Sequence, residues 1–160
     1  MIDEFDAYIV LSAPTSTYVL SIGESIDQVT DSGLVENART LGVQQMGEDS
    51  FVQVHTSGFL RVRSGGKKEP WPDSNSRISV AASAMNQRQI VLATTSGELI
   101  YFEVDNEGEL NEYMERKSLG VAVTTLSIAD VPEGRQRTPY LVSGAYFLVI
   151  DVHLGIGGRM

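Results

Sequence analysis

The chain contains no cysteine, two histidines, one tryptophan and five prolines in 160 residues. Without cysteine, disulfide scaffolds, thiolate zinc sites and thiol catalysis are all excluded. His55 and His153 lie in opposite parts of the chain and form no His-x-x-His or His-Glu-x-x-His spacing. A metal site needs several converging ligands, so His55 reads as a strand residue beside a turn. Basic residues are scarce: 12 Lys and Arg against 21 Asp and Glu give a net charge of −9. Phosphate contacts need clustered cations, so an independent nucleic-acid binder is disfavoured. The two basic clusters, Arg61-Val-Arg63 running into Lys67-Lys68 and Arg135-Gln-Arg137, are expected to be solvated strand ends and loops. No asparagine starts an Asn-x-Ser/Thr acceptor. The opening MIDEFDAYIVLSAP is acidic where a secretory signal is basic. No apolar run approaches the roughly 20 residues that span a bilayer. The expectation is an intracellular, soluble protein with no membrane contact.

What is present is strand. With 42% hydrophobic and 21% charged residues, the composition is that of a globular chain long enough for one domain. Short runs rich in β-branched and aromatic residues cover 7–12, 17–22, 50–55, 59–63, 78–81, 89–94, 98–104 and 121–128, separated by Gly, Asn, Asp, Ser and Pro. Phe51 and Gln53 alternate with Val52 and Val54, and Leu60 and Val62 with Arg61 and Arg63. That period of two predicts antiparallel strands with one wet face. Only 34–46 can be drawn as a helix, and Gly42 weakens it, so that segment stays undecided.

The runs repeat. Thr-Ser-Gly stands at 56–58 and 95–97, and Thr-Ser-Thr at 15–17, so the three threonines are 41 and 39 residues apart. Each copy has an apolar strand before the turn and a second strand after it. A period of about 40 with roughly four strands per unit is the size class of WD40 propeller blades. A blade cannot bury its apolar face alone and must stack on neighbours, so the sequence repeats because the packing problem repeats. Asp105-Asn-Glu-Gly108 supplies a further hairpin turn. The predicted fold is all-β: an incomplete WD40-like β-propeller of about three antiparallel blades and the start of a fourth, since a closed ring needs about four to eight.

Signs of chemistry are weak. Asp3, Glu4 and Asp6 fit a solvated strand entrance. Ser64-Gly-Gly-Lys-Lys68 lacks the first glycine and the final hydroxyl of a phosphate loop. Gly155-Ile-Gly-Gly158 misses the dinucleotide pattern because Met160 holds its third glycine position, and 105–108 lacks the ligand spacing of a calcium loop. No catalytic, cofactor-binding or metal residue is assigned, and no small-molecule substrate is expected. Of the aromatics Trp71, Tyr101, Phe102, Tyr113, Tyr146 and Phe147, those within strands read as blade core. Trp71, between Pro70 and Pro72, is instead expected to be an exposed contact.

The stretches at 5–12, 18–33, 44–55, 86–117 and 131–137 (FDAYIVLS, YVLSIGESIDQVTDSG, QQMGEDSFVQVH, NQRQIVLATTSGELIYFEVDNEGELNEYMERK and VPEGRQR) resemble the splicing factor 3b subunit 3 family. That family belongs with damaged-DNA-binding protein 1 and the large subunit of the cleavage and polyadenylation specificity factor. The matched stretch resembles the start of the second propeller. It thins over 56–77, where Gly58 and Trp71 keep familiar places. The resemblance implies a non-enzymatic scaffold in the nucleus, working in branch-site recognition by the U2 small nuclear ribonucleoprotein. Its implied partners are other splicing factor 3b subunits, with RNA contact at most indirect. Two alternatives are a scaffold of the ubiquitin-ligase or polyadenylation type and a propeller enzyme, which would need two carboxylates facing a central pocket. The resemblance fails after Leu141, dividing the chain into a partial second propeller (1–141) and a divergent tail (142–160). Either 142–152 is a divergent strand–turn–strand, or the tail is translated intron from a mispredicted gene end, since Val-Ser is what the hexamer GTAAGT encodes.

Overall fold

The computed structural model describes residues 7–138, 140–145 and 148–153. Among them there are strands and turns and no helix. In chain order the strands are β1 (Ala7–Ser12), β2 (Thr17–Ile22), β3 (Ile26–Val29), β4 (Thr40–Met46), β5 (Ser50–His55), β6 (Gly58–Arg63), β7 (Lys68–Trp71) and β8 (Val80–Met85). They continue with β9 (Gln89–Thr94), β10 (Glu98–Val104), β11 (Leu110–Glu112), β12 (Lys117–Ser118), β13 (Thr125–Ile128), β14 (Tyr140–Ala145) and β15 (Leu148–His153). Every pairing is antiparallel, and within each sheet neighbours in sequence pair in space, except that β12 pairs with β10. Four sheets result: sheet I is β1-β2-β3, sheet II β4-β5-β6-β7, sheet III β8-β9-β10-β11 with β12 also on β10, and sheet IV β13-β14-β15. The all-β blade architecture read from the repeat is the one observed. The undecided segment 34–46 resolves into bends followed by β4.

The Thr-Ser units sit where the repeat placed them, in the turns between β1 and β2, β5 and β6, and β9 and β10. Gly58 (φ 137°) and Gly97 (φ 82°) take backbone angles that L side chains rarely adopt. Both are also crowded: a Cβ on Gly58 would fall on the carbonyl of Trp71, and one on Gly97 on the carbonyl of Val121.

The sheets stack face to face. Strand β9, Gln-Ile-Val-Leu-Ala-Thr, is buried at all six positions. Its alternation explains why: Ile90 and Leu92 pack with Met46, Val52, Val54 and Phe59 of sheet II, while Val91 and Ala93 pack toward Val123, Leu126 and Ile128 beside and within sheet IV. Strand β10 divides the same way, with Ile100, Phe102 and Val104 on one side and Leu99 and Tyr101 on the other. A strand covered on both faces reads as a continuous apolar run, and each fully buried Ile, Leu or Phe contributes roughly 1.5–3 kcal/mol. Inner strands approach closely, and a Cβ at Gly42 of β4 would press on Met85 and Ser83 of β8.

Two-sided burial corrects the expectation of a wet face. Gln53 and Arg61 hold the polar positions of the alternating pattern in sheet II, yet they are 0% and 1% exposed. Each face of sheet II meets another sheet, with Gln53 turned toward sheet I and Arg61 toward sheet III, and all their polar atoms but Arg61 Nη1 are hydrogen-bonded there. The tail expectation is only partly in view: β14 pairs β15 from Tyr140↔His153 to Ala145↔Leu148, whereas 146–147 and 154–160, including Tyr146, Phe147 and Gly155–Gly158, lie outside the described residues.

Candidate interaction surface

The polar side chains gather between the sheets and at their ends. Between sheets I and II, Thr17 Oγ1 donates to Ala38 O at 2.7 Å and shares a 2.7 Å hydrogen bond with Thr40 Oγ1. Gln53 Nε2 donates to Thr40 Oγ1 and Val35 O, and its Oε1 accepts from Val35 N. Beyond this polar seam the same two sheets leave an apolar groove of about 400 Å³, with Val10, Val19, Val29, Leu34, Phe51 and Val62 on its walls.

Between sheets II and III the buried cation is Arg61. Its Nε donates to Ser50 Oγ at 2.9 Å and its Nη2 to Gly108 O at 2.7 Å, while Nη1 lies 3.7 Å from Glu69. Burial pulls the Arg61 guanidinium down from its ordinary value, with neighbouring Arg63 adding to the fall and Glu69 opposing it. Arg63 donates to Glu109 at 2.7 Å. The expected solvated cluster is therefore a bridge between blades, because β6 lies inside the stack. Lys67, 71% exposed, fits the solvated reading, although it donates to Glu69 at 2.8 Å. Glu69 is held below the usual carboxylate range, chiefly by that Lys67 bond.

Trp71 also differs from expectation. Its ring stacks on Phe59 at 5.5 Å and meets Phe102 edge-on at 4.8 Å, and its Nε1 donates to Glu112 at 3.0 Å. Pro70 and Trp71 belong to β7, an outermost strand where a missing N–H can be tolerated. The residue is half-buried, with Pro70, Pro72, Asp73, Arg77 and Arg116 around a depression of about 580 Å³ beside it.

The long connection from β13 to β14 forms a strap. Three residues link β4 to β5, and three link β8 to β9, whereas this connection runs from Ala129 to Pro139. It is tied down by side chains that sequence reading passed over. Gln89 Oε1 accepts from Thr138 N and its Nε2 donates to Thr138 O, at 2.9 and 3.0 Å, copying a strand pairing with one amide group. Asn86 donates to Ala129 O, Arg137 pairs with Glu103 at 3.3 Å, and Gln136 donates to Asn106. Glu103 further accepts from Tyr101 Oη at 2.8 Å, and burial pushes the Tyr101 phenol far above its ordinary value. Pro132, Glu133, Gly134, Arg135 and Gln136 stay exposed at the tip. Of the second basic cluster, Arg135 is thus solvated as expected, while Arg137 is an anchor. The signal for the anchor is Asn86 and Gln89, two amides at a tight turn where solvated charge would otherwise serve.

As chemistry, this arrangement holds loops in place. Among the described residues no group of His, Asp and Glu could hold a metal ion. His55 sits alone, its Nδ1 accepting from Ser57 N at 3.2 Å, with burial lowering its pKa. Glu69, Glu103 and Glu112 are each committed to cations or hydroxyl and indole donors. At the 105–108 turn, Asp105 Oδ1 accepts from the backbone N–H groups of Glu107 and Glu109, and these bonds lower its pKa, Glu109 most. Gly65 and Gly66 turn the chain between β6 and β7. Asp3, Glu4 and Asp6 lie outside the described residues.

Residues 2–150 match the family described as the RSE1/DDB1/CPSF1 second beta-propeller. The chain is 47% identical over 146 residues to pre-mRNA-splicing factor RSE1 of Mycosarcoma maydis. It is 45% and 42% identical over 142 residues to splicing factor 3B subunit 3 of Danio rerio and of Drosophila melanogaster. Each match takes in 89% of this chain and 12% of the relative, so the chain spans about an eighth of those proteins' length. On the stacked four-sheet geometry and a match that runs through nearly the whole chain, this protein belongs to the RSE1/DDB1/CPSF1 second β-propeller family.

Proposed function

We propose that the chain is a section of a non-enzymatic, nuclear propeller scaffold in pre-mRNA splicing, acting in branch-site recognition within the U2 small nuclear ribonucleoprotein. The observation that carries this reading is the identity of 42–49% to relatives named as splicing factors. The physical side agrees. Blades buried on both faces make a rigid support, the strap and outer turns give it a presenting surface, and the net charge of −9 leaves RNA to neighbouring subunits. Other splicing factor 3b subunits are the proposed partners. Purifying the tagged protein under native conditions and identifying its companions tests the reading. Co-purification of those subunits with U2 RNA is expected, and their absence beside an intact protein contradicts it.

A second reading, a scaffold of the damaged-DNA-binding or polyadenylation type, is favoured by the family's own description, which spans those branches. A cullin or polyadenylation factors among the companions would select it. For the chain's end, we propose two origins for residues 142–160: a divergent strand–turn–strand, which the β14–β15 pairing and a family match that runs to residue 150 favour, or translated intron. Genomic sequence that continues past Leu141 in the same exon, with no splice donor there, contradicts the second origin.

A further inference from the structure

Trp71 stands where two cavities meet. The depression of about 580 Å³ adjoins a second one of about 250 Å³, and Pro70, Trp71 and Glu112 line both. Together they make a cleft between β7, the outermost strand of sheet II, and β11, the outermost strand of sheet III. The 3.0 Å bond from Trp71 Nε1 to Glu112 crosses it from one sheet to the other. The smaller part is walled by Phe59, Phe102 and Leu110. It has the space of several water molecules at roughly 30 Å³ each, which one leucine or phenylalanine side chain would displace. Buried Arg61 lies at its inner end, and Arg61 Nη1 has no hydrogen-bond partner.

The larger part carries the charge. Its carboxylates and that of Glu69 are already committed: Glu69 to Lys67 and Arg63, Glu112 to Arg116 and the Trp71 indole, and Asp73 Oδ1 to the N–H of Asn75. Arg116 is fixed between Glu98 and Glu112. Arg77 is exposed on the rim and, among the described residues, belongs to no ion pair. What the cleft has to spare is therefore positive, in a chain of net charge −9. We propose that this cleft is a docking site for an acidic segment of a partner protein, which inserts one leucine or phenylalanine side chain beside Trp71 and sets a carboxylate on Arg77. Tryptophan and arginine around an apolar pocket are the side chains that dominate protein interfaces. The contact is made by side chains and not by an added strand, because Pro70 gives β7 no N–H at that position. Nucleic acid fits poorly, since a phosphate backbone needs clustered cations and these alternate with carboxylates. The cleft's chemistry is independent of the splicing reading, so either can fail without the other.

Trp71 is the single tryptophan of the 160 residues, so its emission reports on the cleft directly. The chain is titrated with the peptide EEDLFDEE, with EEDAADEE, with KKKLFKKK and with a short oligouridylate. EEDLFDEE should give a saturable change in emission, EEDAADEE should bind about tenfold more weakly or worse, and the other two should give no response. Arg77→Glu should weaken EEDLFDEE about fivefold or more through lost attraction and added repulsion, with the melting temperature unchanged. If that variant melts lower, Arg77→Gln replaces it, with a loss of about twofold or more expected. No saturable response to EEDLFDEE, equal binding of EEDAADEE or KKKLFKKK, or full binding by a folded Arg77 variant overturns the proposal. Saturation by oligouridylate assigns the cleft to nucleic acid and overturns it as well.

Discussion

Gly58 shows how much one hydrogen atom in place of a side chain does here. Its φ of 137° and the carbonyl of Trp71 where a Cβ would sit make alanine doubly unfavourable. Gly108, at φ 82° with open space around it, faces only the backbone strain. Gly58→Ala should therefore cost more than Gly108→Ala, which should lose about 1–3 kcal/mol, as read from denaturant midpoints. His55 gives a pH prediction. Burial lowers its folded pKa below the ordinary imidazole value of 6.5, so above that value both states are neutral and no stability is at stake. As pH falls through 6.5 the unfolded chain takes up a proton that the folded chain refuses, and stability declines. Melting temperatures of the wild type should drop over that window more steeply than those of His55→Gln. At this scale the sequence was least legible. Arg61 and Gln53 look like solvent-facing residues of an amphipathic strand, and only the stacking of a second sheet reverses that reading. Trp71 looked exposed because its prolines bar a ladder, which leaves an edge strand out of account.

At the scale of elements, the strap is the part held by few atoms. Gln89→Ala removes both bonds to Thr138 and leaves a buried backbone N–H and C=O unpaired, a loss of about 1–3 kcal/mol. The expected consequence is local. Trypsin should cut after Arg135 several-fold faster in the variant, while amide exchange in β5 stays as in the wild type. Equal cutting rates would show that the tie to Gln89 does not hold the strap. The strands themselves were largely legible, because β1, β2, β5, β6, β9 and β10 combine β-branched runs with turn residues at a fixed period. The outer strands β3 and β7 are not legible in this way, because Ile-Asp-Gln-Val and Lys-Glu-Pro-Trp are short, polar edge sequences whose pairing comes from their neighbours, whereas β11 is implied by the hairpin turn at 105–108. The start of β4 was blurred by Gly42, which lies against Met85 and Ser83 of the next sheet.

For the whole molecule, stability should follow position in the stack. Sheet III is covered on both faces, so Ile90→Ala or Phe102→Ala should cost about 2–5 kcal/mol, whereas Ile9→Ala on sheet I should cost well under half as much. The direct measurement is amide exchange across the stack, strand by strand, in the 160-residue chain and in the longer protein. The account predicts that β9 and β10 exchange slowest in both, and that β1 to β3 exchange quickly in the chain and slowly in the longer protein, where further structure covers them. Equal protection of β1 to β3 and of β9 and β10 in the 160-residue chain would contradict a stack of blades that depends on its neighbours.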